Sequence, residues 1–283
     1  MDKDKNIQKV VVAIVNYYSC DEVLEYMETI RGCEGVTLIV VNNGEDDDKL
    51  SGLRAAVSRA SYATLLDPGL NLGYMGGARF AYEALGGNKL FEKADWFVLS
   101  NADVRFDARN LTDGLDEIDF GSEFGVPMVV APRIQSSLTG KNQNPYMISR
   151  PSRIKYKILG WVFSVYPLAV AHRLLGMIKQ RLFRSAGAAQ NSMPSIYGGH
   201  GSFIIFSKRY FERGGGLDNG AFLFCEENYV AEEVRRMEGR IVYADDIVIT
   251  HKEHVTTGIL PSRVMTRYLA KAHKLCASRY MQD

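Results

Sequence analysis

Unbroken apolar runs alternate with helical periodicities along the first hundred residues. Residues 10–15 form a β-branched run without polar interruption, the pattern of a strand buried on both faces. The run closes on Asn16-Tyr17-Tyr18, and Ser19 and Glu22 then stand at capping-box spacing before a helix predicted over 21–31. Residues 37–41 predict a second strand ending at Asn42-Asn43-Gly44, 47–59 a second helix, 62–66 a third strand and 74–85 a third helix. Trp96–Ser100 predicts a fourth strand, followed by Asn101-Ala102-Asp103. This alternation implies an α/β fold with a mainly parallel sheet flanked by helices. Such sheets bind ligands beyond the carboxyl ends of their strands, and the notable polar residues cluster at those ends.

Beyond residue 123 the pattern is less regular. Strands are predicted at 128–131 and 203–206. A helix over 226–238 carries Val230, Val234 and Met237 at helical spacing and stops at Gly239. Strands at 241–243 and 247–250 and a basic helix over 261–279 complete the chain, with no internal repeat and no low-complexity linker.

Composition narrows the class. The 283 residues are 46% hydrophobic and 24% charged, as in ordinary globular proteins. The charged first residues lead straight into the first strand, so no secretory leader is expected, and no stretch is long and apolar enough to predict a membrane span. The four cysteines are scattered without a CxxC pair, which predicts reduced thiols and a cytoplasmic chain rather than disulfides or a zinc site. The net charge of +1 conceals an asymmetry: residues 124–211 contain 12 Lys and Arg and no acid, and the remainder holds 22 basic and 33 acidic residues. Blocks of one sign usually meet a partner of the other. Residues 150–184 concentrate eight basic residues among Trp161, Phe163, Tyr166, Leu174, Leu175 and Ile178. That mixture predicts an amphipathic segment lying on an anionic membrane surface, with an oligomer contact as the competing reading. No nucleic-acid-binding motif accompanies the charge, so no nucleic-acid partner is expected.

Several motifs are excluded. The first strand lacks GxGxxG, no GxxxxGK[ST] occurs, and His-Lys-Glu-His at 251–254 is not HExxH. A dinucleotide dehydrogenase, a P-loop enzyme and a zinc protease are therefore set aside. Four acidic or imidazole residues remain. Asp103 follows a strand where a carboxylate can bridge a divalent ion and a diphosphate, although an acid there is most often a turn residue. His251 ends a strand and offers a further ligand, or serves as an ordinary surface histidine. Glu226 and Glu227 open a helix, where acids usually answer the free amides, yet adjacent residues point about 100° apart, so one can face a cleft while its neighbour is held elsewhere.

Seven pieces in order carry a resemblance: VAIVNYYS (12–19), VVNNG (40–44), NLGYMGGAR (71–79), WFVLSNAD (96–103), GGHGSFIIFSKRYFERGGGLD (198–218), FLFCEEN (222–228) and VITHKEH (248–254). From residue 10 to about 258 the chain resembles the family 2 glycosyltransferases, especially their rhamnosyltransferase-like branch. The resemblance implies a GT-A fold in one domain over 1–258, with a nucleotide-binding half at about 8–123 and an acceptor half at about 124–258, followed by a basic helix over 259–283. By resemblance, Asp103 is the last acid of a DxD-type motif and His251 a late ligand of Mg²⁺ or Mn²⁺. Asn16, Tyr17, Asn42 and Asn101 contact the nucleotide sugar, and Asn71, Gly73 and Arg79 form the loop approaching base and diphosphate. Gly199 and His200 lie on the acceptor side, and Glu227, preceded by Glu226, is the catalytic base. The implied reaction is an inverting sugar transfer from a nucleotide-diphosphate donor, dTDP-rhamnose first and UDP-hexose second. The implied acceptor is a lipid-linked saccharide of surface polysaccharide, met at the inner face of the cytoplasmic membrane, and a homo-oligomer is compatible with the resemblance.

The chain departs from the family pattern at four places: Asn101 replaces the first acid of DxD, Asn42 an Asp, Glu227 an Asp, and Tyr229 a further acid. The competing readings are a nucleotide-sugar nucleotidyltransferase, whose Gly-rich basic loop after the first strand is absent here, and a non-catalytic sugar-binding protein.

Overall fold

The computed structural model describes residues 9–44, 48–121, 125–182, 195–253 and 261–281, with backbone alone over 177–182. The first half follows the predicted alternation: β1 (Val10–Asn16), α1 (Cys20–Ile30), β2 (Val36–Asn42), α2 (Asp48–Ser58), β3 (Ala63–Leu66), α3 (Tyr74–Ala84) and β4 (Trp96–Ser100). Next come β5 (Val104–Phe106), α4 (Ala108–Asp116), β6 (Val126–Ser136), α5 (Arg153–Val162), α6 (Tyr166–Leu182) and β7 (Ser195–Ile196). The chain ends with β8 (Phe203–Ser207), α7 (Lys208–Glu212), α8 (Glu226–Arg236), β9 (Gly239–His251), α9 (Arg263–Leu275) and a π-helical turn at Cys276–Tyr280.

One sheet runs through the described residues in the order β3-β2-β1-β4-β8-β6-β9-β5, with β7 on β9. The β3-β2-β1-β4 part is parallel, as the alternation predicts. β8 then enters antiparallel to both β4 and β6, and β5 antiparallel to β9, so the second half is mixed. Alternate residues of the strands supply two apolar faces. Val10, Val12 and Ile14 belong to the core that α1, α2 and α4 also line, and Val11 and Ala13 to the core on the other face, shared with α3, α7 and α8. Both faces of β1 are thereby covered, which explains why its sequence has no polar alternation.

Two local expectations are corrected, and one helix is added. Ser19 makes no side-chain cap bond to α1: its amide and hydroxyl both donate to Asn16 Oδ1 at 3.1 Å, so the preceding strand end captures the capping residue. The two strands expected at 241–243 and 247–250 are one strand, β9. Its pairing with β6 jumps from Pro132↔Ala244 to Arg133↔Val248, so Asp245, Asp246 and Ile247 form a bulge where the sequence suggested a break, with Ile247 buried in the core. Helix α4 escaped the sequence reading, although Asp107 caps it through the amides of Arg109 and Asn110, and Leu111 and Leu115 are buried at i, i+4.

The acid-free segment folds as α5 and α6. α5 lies on α9, and a small third core joins Tyr156, Cys225, Ala272, Cys276 and Met281. No single helix among the described residues is long and apolar enough to cross a membrane. The expected domain boundary at 258 and the residues 183–184 lie outside the described residues.

Candidate active site

The parallel register sets Asn16 beside Asn42 at the carboxyl ends of β1 and β2. Asn16 Nδ2 donates to Asn42 Oδ1 at 3.2 Å, and both residues are almost wholly buried. These amides hold the floor of the site rather than projecting into it. Tyr17 and Tyr18, by contrast, are more than half exposed and pack edge to face. They flank a cleft of about 650 Å³ lined also by Asn42, Asp67, Leu70 and Asn71, within the size range of small-molecule sites. Asp67 was not singled out by the sequence, because Asp-Pro-Gly reads simply as a turn. The Gly69 amide (3.0 Å), with help from Arg54 (2.6 Å) and Asn42, holds its carboxyl below the usual carboxylate range, so it presents a fixed negative acceptor at the cleft.

Asn71 Oδ1 accepts from the Gly73 amide at 2.9 Å and shapes the start of α3. Gly73 is required by geometry: its φ is +73°, and a Cβ would sit 2.1 Å from the Phe222 carbonyl oxygen. Tyr74 N donates to that same oxygen, which draws the loop at 71–73 against the entry to α8. Arg79 stands apart from this loop. On the outer face of α3 it pairs with Asp218 at 3.0 Å and Glu83 at 3.7 Å, and it does not line the cleft, because Met75 and Ala78 hold the inner face.

At the end of β4, Asn101 N donates to Ser202 O at 2.8 Å, joining the strand end to the loop containing Gly199 and His200. Asp103 Oδ1 lies 3.3 Å from His251 Nε2, because β5 pairs Val104 with His251. The tautomer of His251 follows from its neighbours. Gln143 Nε2 donates to Glu253, so Gln143 Oε1 faces His251 Nδ1 at 2.9 Å and accepts its proton. In the neutral ring the Nε2 lone pair then faces a carboxylate oxygen. Two acceptors converging in this way fit a divalent cation that completes its shell with diphosphate oxygens and water. No third His, Cys, Asp or Glu joins them among the described residues, and His254 lies outside those residues.

The two adjacent glutamates have separate surroundings. Glu226 is buried, and its Oε1 accepts from the Phe224 amide at 2.7 Å. That bond braces two consecutive non-glycine residues in the left-handed region, Phe224 (φ +75°) and Cys225 (φ +63°). Glu227 is partly accessible and points the other way, with Oε1 accepting from the Gly201 amide at 3.2 Å. Burial raises both carboxyls above the ordinary range, and the charge of Glu227 raises Glu226 further, to about 8, so Glu226 holds a proton near neutral pH. Tyr146 stands over this side of the site, edge-on to the His200 ring, and the Glu227 charge together with burial pushes its phenol up.

Gly199 packs its backbone against Ala131, which would lie 2.7 Å from an added Cβ. His200 Nδ1 contacts Ser202 Oγ at 2.9 Å, and its ring meets His251 edge-on at 5.7 Å between centroids. Burial, aided by His251, lowers the His200 pKa to about 4, so this imidazole is neutral near pH 7. A continuous series of contacts therefore runs from Glu227 through Gly201 and His200 to His251 and Asp103, and through Asn101 to the strand ends that floor the cleft.

No protein-family model matches the sequence, and no curated protein sequence matches it. Similarity appears at the level of shape. Over 96% of its length the chain matches GalNAc-T7 crystallised with UDP, GalNAc and Mn²⁺, with a TM-score of 0.59 at 9% identity and covering 48% of that chain. Over 95% it matches the mannosyltransferase PcManGT from Pyrobaculum calidifontis in complex with GDP-Man and Mn²⁺, with a TM-score of 0.52 at 14% identity and covering 70% of that chain. The chain thus spans about half the length of the first and rather more of the second. Its fold is that of the GT-A glycosyltransferases, a mixed α/β sheet flanked by helices.

Proposed function

We propose that this chain is a glycosyltransferase. It binds a nucleoside-diphosphate sugar in the cleft beside Tyr17 and Tyr18 and transfers the sugar to an acceptor hydroxyl by one displacement that inverts the anomeric carbon. The observation that carries this reading is the series of contacts from Asp103 through His251, His200 and the Gly201 amide to the partly accessible carboxylate of Glu227. Glu227 takes the acceptor's proton as the hydroxyl oxygen attacks. The bond from the anomeric carbon to the diphosphate oxygen breaks, and its electron pair leaves with the nucleoside diphosphate. Glu226 keeps its proton and braces the turn that aims Glu227. Asp103 and His251 would hold a divalent ion, Mg²⁺ or Mn²⁺, which supplies positive charge against the departing diphosphate.

Nucleotides in both structures of similar shape support the donor class, UDP in one and GDP-mannose in the other. The motif resemblance favours dTDP-rhamnose, then UDP-hexose, and a lipid-linked saccharide acceptor in surface-polysaccharide synthesis. The donor half is assigned to about 8–123 and the acceptor half to about 124–258. A ligand that binds only the native state stabilises it, by about 2.7 kcal/mol at a hundredfold excess over Kd. Thermal melting with a panel of nucleoside diphosphates and their sugars, with Mg²⁺, Mn²⁺ or EDTA, tests the reading. Stabilisation by a diphosphate that deepens with metal supports it. Stabilisation by nucleoside triphosphates and sugar phosphates alone favours a nucleotidyltransferase, and no stabilisation by any nucleotide contradicts the proposal.

A further inference from the structure

Helices α5, α6 and α9 carry a surface that the catalytic reading leaves unused. On α5, Ile154, Ile158 and Trp161 stand at i, i+4 and i+7 and are 67, 55 and 61% exposed, while Tyr156 and Gly160 on the opposite face are buried against α9. α6 bends away from α5 by 118°, and from Ala171 to Gly176 it is exposed on every side, Leu174 and Leu175 included. A helix unpacked all round is marginal in water and needs a partner for its apolar side chains. α9 adds the exposed Val264 to the same group of helices. Arg263 also ties α9 to α6, its guanidinium 4.9 Å from the centre of the Tyr166 ring.

Charge identifies the partner. Lys155 and Lys157 are exposed on α5, and Arg263, Arg267, Lys271 and Lys274 are exposed along α9. The described residues of α5, α6 and α9 contain no Asp or Glu. Apolar side chains ringed by cations, with a tryptophan among them, have the composition of an interfacial helix on anionic lipid. The structure also removes two cations from the account that the sequence had offered. Arg150 forms a two-bond pair with the buried Glu232 at 2.7 and 3.1 Å, and Arg153 Nε donates to the Ala277 carbonyl. Both serve the fold and are not available to lipid.

We propose that α5, α6 and α9 together form a docking surface for an anionic lipid bilayer. Ile154, Ile158, Trp161, Leu174 and Leu175 enter the interface, and Lys155, Lys157 and the α9 cations meet the headgroups. The surface is fastened to the candidate active site: Tyr156, on the buried face of α5, donates to Asn228 Oδ1 at 2.6 Å, next to Glu227. Docking therefore sets the acceptor side of the cleft at the membrane, and its substrate class is a saccharide anchored in lipid. That last step rests on the proposed glycosyl transfer, whereas the docking itself does not.

Vesicle sedimentation tests the surface without donor or acceptor, so its outcome is independent of catalysis. The full chain is mixed with vesicles of phosphatidylcholine alone or with phosphatidylglycerol added. Binding only to the anionic vesicles is expected, with loss as salt rises from about 0.1 to 1 M and the screening length falls from about 10 to 3 Å. Lys155→Gln and Lys157→Gln should each weaken it about fivefold. Trp161→Ser should weaken it at unchanged melting temperature, and Ile158→Asn serves if the tryptophan variant does not fold. Equal binding to both vesicle types, binding to neither, or a dimer that buries Trp161 and excludes vesicles would overturn the proposal.

Discussion

Glu226 and Glu227 are neighbours in sequence with different surroundings, and two substitutions at Glu226 with a pH profile separate their work. Glu226→Gln keeps an amide oxygen for the Phe224 amide and resembles the protonated acid, so it should retain most activity near pH 7. Glu226→Ala removes that acceptor and releases the left-handed turn at Phe224-Cys225. It should lower both melting temperature and turnover, by an amount within the 1–3 kcal/mol that such turns store. The pH profile checks the base itself. Burial raises Glu227, and a base must be ionised to act, so transfer should fall on acidification at a pH above the ordinary glutamate value of about 4.3. A rate insensitive to pH down to that value contradicts the assignment. Asp103→Ala should abolish the metal-dependent part of donor stabilisation while leaving stabilisation without metal in place, measured by melting with Mn²⁺ and with EDTA. The adjacency of the glutamates and the strand-end position of Asp103 were readable in one dimension. The pairing of Asp103 with His251 depends on β5 lying against β9, across nearly 150 positions of chain, and has no local signal. Arg79 shows the converse: its motif neighbours face the cleft, but helical phase turns it outward to Asp218.

Elements that report on themselves were the readable ones. Buried parallel strands announce themselves as β-branched runs, and β1, β2 and β4 end within one or two residues of where the pattern stops. What came from elsewhere in the chain was hidden. The antiparallel insertion of β8 between β4 and β6 is decided by tertiary pairing, and the bulge in β9 looks in sequence like an ordinary break between strands. Loop closure at the site hinges on Gly73, where a side chain would meet the backbone of Phe222 as well as the left-handed φ. Gly73→Ala should destabilise the protein by about 1–3 kcal/mol and weaken donor binding at the Asn71 side of the cleft, read by denaturant titration and calorimetry. Unchanged stability and affinity would mean that the loop at 71–73 moves freely of α8.

The molecule as a whole joins the parallel strands of the first half to the mixed strands of the second through one sheet. Within the second half, Arg150 holds Glu232, which also accepts from the Tyr197 hydroxyl at 2.6 Å. Arg150→Ala leaves the buried Glu232 carboxylate with the Tyr197 hydrogen bond and a longer ion pair to Arg235 at 3.8 Å. Because Arg150 is itself partly exposed, the loss of stability should fall toward the lower end of the 3–5 kcal/mol typical of broken buried pairs, as measured by chemical denaturation. The basic excess of the middle section thus divides into cations that build the fold and cations that face outward, a division that composition alone does not draw. The proposed reaction turns on proton removal by Glu227 during sugar transfer. Its most direct test is the rate of nucleoside diphosphate release, with acceptor present, by the wild type and by Glu227→Gln, using the donor that most stabilises the protein and measuring donor affinity for both. A fall in turnover of roughly 10²–10⁴-fold at nearly unchanged donor affinity is the predicted result. Near-normal turnover by Glu227→Gln would contradict it.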